Sequence, residues 1–313
     1  MARRDTTGDL YDPRKGGQAI RVEPFRLGGG PFDPARTNYF AVYHIEAGSG
    51  TVWADTARFP FGPDSLLFFV PYQRVRFAPD GPAHGDLVHF HANFLCVETF
   101  HAEVGCSGVL FNDPYGGPVV PLDDGASGEV THLLDRLRRE QDGDELASAD
   151  VMLAYLKVLL ILATRLKSSR AGGCEPGTSD PRHPTLARLR ELIEERYQSW
   201  HSPAEYADAL HLTPKTLGRI VRDHLGTTPT DLIRSRILTH AKWELLHTLK
   251  PVKEVARELG FGDELYFSRL FKKATGHSPT FFREFETAVR GGSNLSMSTG
   301  RAPIPRSPAP ANT

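Results

Sequence analysis

From Phe25 to Leu122 apolar and polar residues alternate in short runs, such as Tyr39-Phe-Ala-Val-Tyr-His-Ile45 and Leu87-Val-His-Phe-His-Ala-Asn93. Period-two alternation marks half-buried strands. Gly48-Ser-Gly50, Gly62-Pro-Asp64 and Ala78-Pro-Asp-Gly-Pro82 break the runs at close intervals, which predicts a small antiparallel barrel or double sheet. The period then changes. Glu129–Glu140 and Leu146–Lys167 carry apolar residues three and four apart (Leu133 and Leu137; Leu153, Leu156, Leu160 and Ala163), predicting two helices that pack as an antiparallel pair across residues 141–144. Ser168–Pro184 has no apolar period and many Gly, Ser and Pro residues, so it is read as a flexible linker.

Residues 185–290 contain a repeat. Glu205-Tyr-Ala207...Leu210-His-Leu212 matches Glu254-Val-Ala256...Leu259-Gly-Phe261 at an offset of 49. After one inserted residue, Leu217-Gly-Arg219-Ile-Val-Arg222...Gly226...Pro229 matches Phe267-Ser-Arg269-Leu-Phe-Lys272...Gly276...Pro279 at an offset of 50. Each copy reads as a short helix holding a small Ala, a tight turn, and a second helix stopped by Gly, which is the pattern of a helix-turn-helix. Counting at 3.6 residues per turn assigns Leu217, Ile220 and Val221, and Tyr266, Phe267, Leu270, Phe271 and Ala274, to the buried sides. It leaves Lys215, Thr216, Gly218, Arg219 and Arg222, and Glu264, Leu265, Ser268, Arg269 and Lys272, facing outward as candidate DNA readers. Arg bonds guanine in a bidentate way, Glu accepts from cytosine N4, Thr and Leu methyls meet thymine methyl, and Lys neutralises phosphate. Between the copies Pro229–Leu249 is amphipathic through Leu232, Ile233, Ile237, Ala241 and Leu245, a helix able to hold two readers about 34 Å apart, one turn of DNA.

Val255-Ala256...Leu259-Gly-Phe261...Tyr266-Phe-Ser-Arg-Leu-Phe-Lys-Lys273...Gly276-His-Ser-Pro279...Phe282-Arg283 resembles the DNA-binding domain of the AraC/XylS family of bacterial transcription regulators over residues 185–287. The resemblance implies two helix-turn-helix units on a linker helix, with reader positions at Lys215, Gly218, Arg219, Leu265, Ser268 and Arg269. Gly218 and Leu265 stand where longer or polar side chains are common in the family, so fewer base contacts are expected there. Upstream, Tyr43–Gly50, Gly62–Pro71 and His89–Phe94 resemble the cupin-type sensor half that many members carry. That implies an effector pocket and dimerisation through the helices at 129–140 and 146–167. Tyr43, Trp53, Tyr72, Arg74 and His91 are the candidate effector-binding residues.

Charge sharpens this division. The chain of 313 residues has a net charge of −1, but residues 182–290 hold 18 basic against 14 acidic residues and residues 1–181 hold 17 against 24. A basic module beside an acidic one fits a DNA-binding domain joined to a non-binding one. No apolar run approaches the roughly 20 residues of a membrane span. The start lacks a secretory core, and Cys96, Cys106 and Cys174 form no framework, which places the chain in the cytoplasm, at the nucleoid. Cys96 and Cys106 are read as packed hydrophobes in preference to a redox pair. His44, His84, His89 and His91 are read as structural or ligand-lining in preference to metal-binding, because the first strand offers only His44 with Glu46 where enzymatic cupins carry His-x-His. No catalytic, phosphate-loop or dinucleotide fingerprint is present, and no metal or cofactor is expected.

The expected architecture is therefore α+β and two-domain. It comprises a disordered start (1–20), a cupin-like β-barrel with a helical pair for effector binding and dimerisation (21–168), a linker (169–184), an all-α double helix-turn-helix domain (185–290) and a disordered tail (291–313). The expected function is a homodimeric, effector-controlled transcription regulator that binds double-stranded DNA and, as an activator, RNA polymerase. The alternative is a metal-dependent cupin enzyme fused to a DNA-binding module.

Overall fold

The computed structural model describes residues 10–95, 110–111, 116–143, 145–170 and 184–290. Cys96, Cys106 and Cys174, most of the linker, residues 1–9 of the expected disordered start, the expected disordered tail, and so the redox reading, lie outside them. The rest of that start is corrected: Tyr11 and Asp12 are buried, Asp12 caps a short 3-10 turn over Pro13–Lys15, and Ile20 opens the first strand.

Among the described residues eight strands, β1 (Ile20–Leu27), β2 (Phe40–Ala47), β3 (Gly50–Ala54), β4 (Ala57–Phe61), β5 (Ser65–Phe69), β6 (Val75–Pro79), β7 (Ala83–Phe90) and β8 (Val119–Pro121), form two antiparallel sheets. The larger has the order β1-β7-β2-β5-β8 and the smaller β4-β3-β6. Their facing sides enclose Leu27, Tyr43, Ile45, Val52, Phe61, Leu67, Phe69, Phe77 and Leu87. Alternation puts Val42, Leu66, Phe68, Val88 and Phe90 on the opposite face of the larger sheet, where they pack on two helices, α1 (Asp124–Asp142) and α2 (Ser148–Arg170). The larger sheet is thus buried on both sides, which explains why β5 is buried at every position.

The helical spacing of apolar residues located α1 and α2 with displaced ends. The Asp123 side chain accepts from the Ala126 N–H and starts α1 five residues before the expected Glu129. Leu133, Leu134 and Leu137 face the sheet from α1; Leu156, Leu159, Leu160 and Ala163 do so from α2. Among the described residues no helix is long and apolar enough to cross a membrane.

The C-terminal elements are α3 (Pro184–Arg196), α4 (Pro203–Ala209), α5 (Pro214–Leu225), α6 (Pro229–His247), α7 (Val252–Glu258), α8 (Glu264–Thr275) and α9 (Pro279–Val289). Four of them start alike. Ser202, Thr213, Thr228 and Ser278 each cap a helix with the hydroxyl, and a proline follows at once. The hydroxyl satisfies a free N–H of the first turn, while proline has none to satisfy and a φ already suited to helix. Buried Leu189, Ile193, Tyr206, Leu217, Leu232, Ile237, Leu245, Leu259, Phe267, Phe271 and Phe282 join these helices in one core.

His89, on β7, carries a pH consequence. Its Nδ1 accepts from the Arg21 guanidinium at 3.2 Å, and burial first, then the Arg21 charge, push its pKa down to about 4 from 6.5. The unfolded chain therefore takes a proton near pH 6.5 that the folded chain refuses until about pH 4. Stability from this group is complete above about pH 6.5 and is lost as the pH falls towards 4. Urea unfolding is expected to show wild type losing about 2 kcal/mol more than His89→Gln between pH 7.5 and pH 5; equal losses in the two proteins would refute this account.

Candidate nucleic-acid interface and sensor site

The two halves of the repeat have the same local bonding. In the first unit, α4 and α5, Ala207 is fully buried and its carbonyl accepts from the Leu212 N–H at 2.8 Å. In the second, α7 and α8, Ala256 is equally buried and accepts from Phe261 at 2.9 Å. Each turn passes through a left-handed residue at the same place, His211 (φ 55°) and Gly260 (φ 81°). A Cβ on Gly260 would come within 2.1 Å of the Gln198 carbonyl oxygen, and His201 Nε2 pairs with the Leu259 carbonyl at 2.8 Å. The loop after α3 therefore presses on the second turn, where a side chain has no room.

Both second helices are closed at both ends. Thr213 caps α5 and Asp263 caps α8 by side-chain bonds, and Gly226 and Gly276, at φ 65° and 89°, close them by donating to the Arg222 and Lys272 carbonyls. These left-handed caps suit glycine. Leu217 and Val221, and Phe267 and Phe271, point inward. Lys215, Arg219 and Arg222 from α5 and Glu264, Leu265, Arg269 and Lys272 from α8 are exposed, and Thr216, Gly218 and Ser268 are half-buried. Thr216 is partly engaged, donating its N–H to Thr213 at 3.1 Å. Arg269 lies along its own helix, donating to the Leu265 carbonyl at 3.2 Å.

One face assignment is corrected. Tyr266, expected on the buried side, is 51% exposed beside Leu265 at 68%. A Phe267 at the next position already fills the core and turns Tyr266 outward, so the outward apolar surface of α8 is larger than the period alone suggested.

The five candidate effector residues do not converge. Tyr43 is buried between the sheets against Phe25, Phe69 and Phe77, and burial raises its hydroxyl pKa. Trp53 is half-buried on the face of β3 opposite Val52. Arg74 is exposed. Tyr72 and His91 do come together, but on Glu286 of α9: the Tyr72 hydroxyl donates to its carboxylate, and His91 Nε2 lies 3.5 Å from it. Alternation says which residues share a face, and it says nothing of a partner helix 195 residues later.

The histidines also separate. His44 is buried with neither ring nitrogen hydrogen-bonded, its Nδ1 3.8 Å from Asp86; His84 is exposed near Glu46; His89 meets Arg21. Among the described residues no three His, Cys, Asp or Glu side chains are placed to hold a metal ion. A cleft of about 400 Å³ opens between the sheet and α1, lined by Phe25, Arg26, Glu46, His84, Asp86 and Arg138. Burial raises the Asp86 pKa, but His44 and the paired Arg138 lower it more, so the carboxyl stays below its ordinary value.

Comparison with known proteins gives these two halves their family. A model described as the AraC-like ligand binding domain matches residues 29–154, and one described as a helix-turn-helix domain matches residues 206–284. The chain belongs to the AraC family. The arabinose operon regulatory protein of Salmonella typhimurium (strain LT2) is 40% identical to this AraC-family chain over 106 residues, 32% of this chain and 38% of that protein. The HTH-type transcriptional activator RhaS of Enterobacter sp. (strain 638) is 29% identical over 157 residues, 50% of this chain and 54% of its own. The HTH-type transcriptional activator RhaR of Cronobacter sakazakii is 24% identical over 208 residues, 66% and 72% of the two chains. The chain thus spans about half or less of the length of the first two relatives.

The turn makes a testable asymmetry within this AraC-family repeat. Gly260→Ala is expected to lose about 1–3 kcal/mol of stability, because it adds left-handed strain and a backbone clash. His211→Gly, at the matching turn, is expected to change stability by less than about 1 kcal/mol. Equal effects of the two substitutions in urea unfolding would refute the crowding of the second turn by the Gln198 backbone.

Proposed function

We propose that this protein is a sequence-specific DNA-binding transcription regulator whose N-terminal domain binds a small-molecule effector. The observation that carries the reading is the pair of matched, doubly capped helices, α5 and α8, whose outward sides present Arg and Lys while their inward sides are locked in one core. In this reading Arg219 and Arg269 reach base edges, Glu264 and Leu265 add cytosine and thymine contacts, and Lys215, Arg222 and Lys272 hold phosphates, with Thr216, Gly218 and Ser268 at the same surface. The connecting helix α6, 19 residues and hence about 28 Å long, keeps the two readers near the spacing of successive major grooves.

The effector acts in the N-terminal domain, from the cleft beside Arg138 and Asp86. The space between the two sheets is filled by Tyr43, Phe61, Phe69 and Phe77. The protein works as a cytoplasmic homodimer without catalytic activity. Support for dimerisation comes from α2, where Val158 is 44% exposed and Tyr155 and Leu162 are partly exposed on the same outer side. RNA polymerase is its partner where it activates. Effector and DNA affinities are coupled reciprocally, by about 1–3 kcal/mol.

Selection of genomic fragments by the purified full-length protein is expected to recover a motif of two half-sites about one helical turn apart. The Arg219→Ala/Arg269→Ala variant at matched salt is expected to lose it; salt-sensitive binding with no motif would sink the regulatory reading. On the recovered site, Arg269→Ala should relax discrimination at particular base pairs by about 1–3 kcal/mol, whereas Lys272→Ala should weaken all sequences alike. Uniform loss in both variants would show that the face assignment is wrong.

A further inference from the structure

Glu286 is a carboxylate 2% exposed on α9. It accepts from the Tyr72 hydroxyl and from Asn38 Nδ2 at 3.3 Å, and pairs with His91 Nε2 at 3.5 Å and Arg290 Nε at 3.6 Å. Three of these four groups belong to the N-terminal domain. Asn38 is itself fixed by two bonds to the Tyr11 backbone, and the Tyr11 ring lies 4.4 Å from that of His91. Tyr72 is held at φ 65°, a strained conformation for a tyrosine, by its N–H bond to the Thr37 carbonyl at 2.7 Å. Burial raises the Glu286 pKa, but His91 and Tyr72 lower it further, so the carboxyl lies below its ordinary value. Around this socket, Asn93 Nδ2 donates to the Val289 carbonyl at 2.9 Å and Lys242 Nζ to that of Pro71 at 3.2 Å. Removing one donor from a buried charge is costly because the charge keeps its burial and loses its compensation.

The domain docked this way also touches the far ends of both reading helices. Arg36 donates to the Ala274 carbonyl at 3.1 Å and lies 3.5 Å from that of Lys273, where α8 ends in unpaired carbonyls and partial negative charge. The Arg58 N–H meets the carbonyl of Gly226, the cap of α5, at 3.4 Å, and a Cβ on Gly226 would lie 2.8 Å from the Arg58 carbonyl oxygen. Neither contact covers Lys215, Arg219 and Arg222 of α5 or Glu264, Leu265, Arg269 and Lys272 of α8, which stay exposed. The N-terminal domain is therefore placed as a brace on the reading helices and not as a cover.

We infer that the N-terminal domain sets the half-site spacing that the two reading helices accept. Glu286 is its dock, and Arg36 and the backbone at Arg58 are positioning groups for α8 and α5. The lever is favourable. Each reading helix has 12 residues, about 18 Å, so a tilt of about 10° about the braced end moves its N-terminal readers about 3 Å. That is close to one base-pair rise of about 3.4 Å. The contacts are backbone or backbone-directed and read no base themselves, so their effect falls on spacing and not on base identity.

The inference rests on the DNA-reading function proposed above, and two measurements keep the failures apart. On the bipartite site recovered by selection, full-length wild type is expected to lose about tenfold or more in affinity when one base pair is added between half-sites. Tyr72→Phe and Arg36→Ala are expected to cut that discrimination to about threefold or less, with affinity for a single half-site unchanged. Hydrogen exchange of the DNA-free full-length proteins is the second measurement. Tyr72→Phe is expected to speed exchange at least about tenfold in segments 222–228 and 272–278, with the rates in α1 unchanged. Wild-type spacing discrimination in both variants, or unchanged exchange in those segments, overturns the brace. If no motif is recovered, the DNA-reading proposal fails, and the exchange result alone decides whether Glu286 holds the reading-helix ends.

Discussion

A helix that reads DNA has to begin and end at fixed places, and its unpaired end groups are what the rest of this structure serves. The first N–H groups and last carbonyls of α5 and α8 have no partner inside the helix. Thr213 and Asp263 answer the first set, and Gly226 and Gly276 answer the second. A side-chain N-cap is worth about 1 kcal/mol, which is small against the core of Leu217, Val221, Phe267 and Phe271 but decides register. Without fixed ends the buried and outward stripes would still form, and the side chains on them would have no assured height along the groove. The same constraint explains the repeated hydroxyl-proline starts of α4, α5, α6 and α9. They locate each helix relative to the one before it.

The N-terminal domain solves a different problem, that of a sheet with no free face. Its larger sheet packs on the smaller one through Tyr43, Phe69 and Leu87, and on α1 and α2 through Val42, Phe68 and Phe90. A sheet sandwiched in this way is rigid. The close approach of β2 and β7 at Gly85, where a Cβ would meet the His44 carbonyl oxygen at 1.9 Å, is tolerated only because that residue has no side chain. Rigidity is what lets one docking contact on α9 govern two distant helix ends. A soft domain held at Glu286 would absorb the displacement before it reached Arg36 or Arg58.

The double helix-turn-helix was legible because every part of it is local. The caps, the small alanines, the stopping glycines and the outward stripe all lie within one or two turns of each other, and the repeat wrote them twice. Tyr266 shows the limit: two neighbouring aromatics cannot both face one core, and periodicity does not say which yields. His211 stands where its partner copy has glycine, and only the shared left-handed turn reveals why the two align. In the N-terminal domain, alternation located the strands, and three- and four-residue spacing located the helical pair. It did not reach which side of the larger sheet faced inward, because both sides do. Tyr43, on β2 of the larger sheet, went to the space between the sheets, and Trp53, on β3 of the smaller sheet, to the face turned away from it, although both read as pocket residues.

Tyr72 and His91 were singled out as aromatic and imidazole groups in a ligand-binding half, and their convergence survives with a different object. They meet a carboxylate supplied by the other domain. Nothing nearby in sequence marks Glu286; on α9 it sits among Phe282, Phe285 and Val289, on a helix whose buried face would otherwise be apolar. A charge there is a poor choice for stability alone, since a hydrophobic residue of similar size packs as well and needs no donors. It does make the contact selective. Only a surface that presents a hydroxyl, an amide and an imidazole at once can cover that carboxylate, so the two domains have one arrangement in which it is satisfied. The cost of burying the charge is in this sense the means by which the position of the brace is specified.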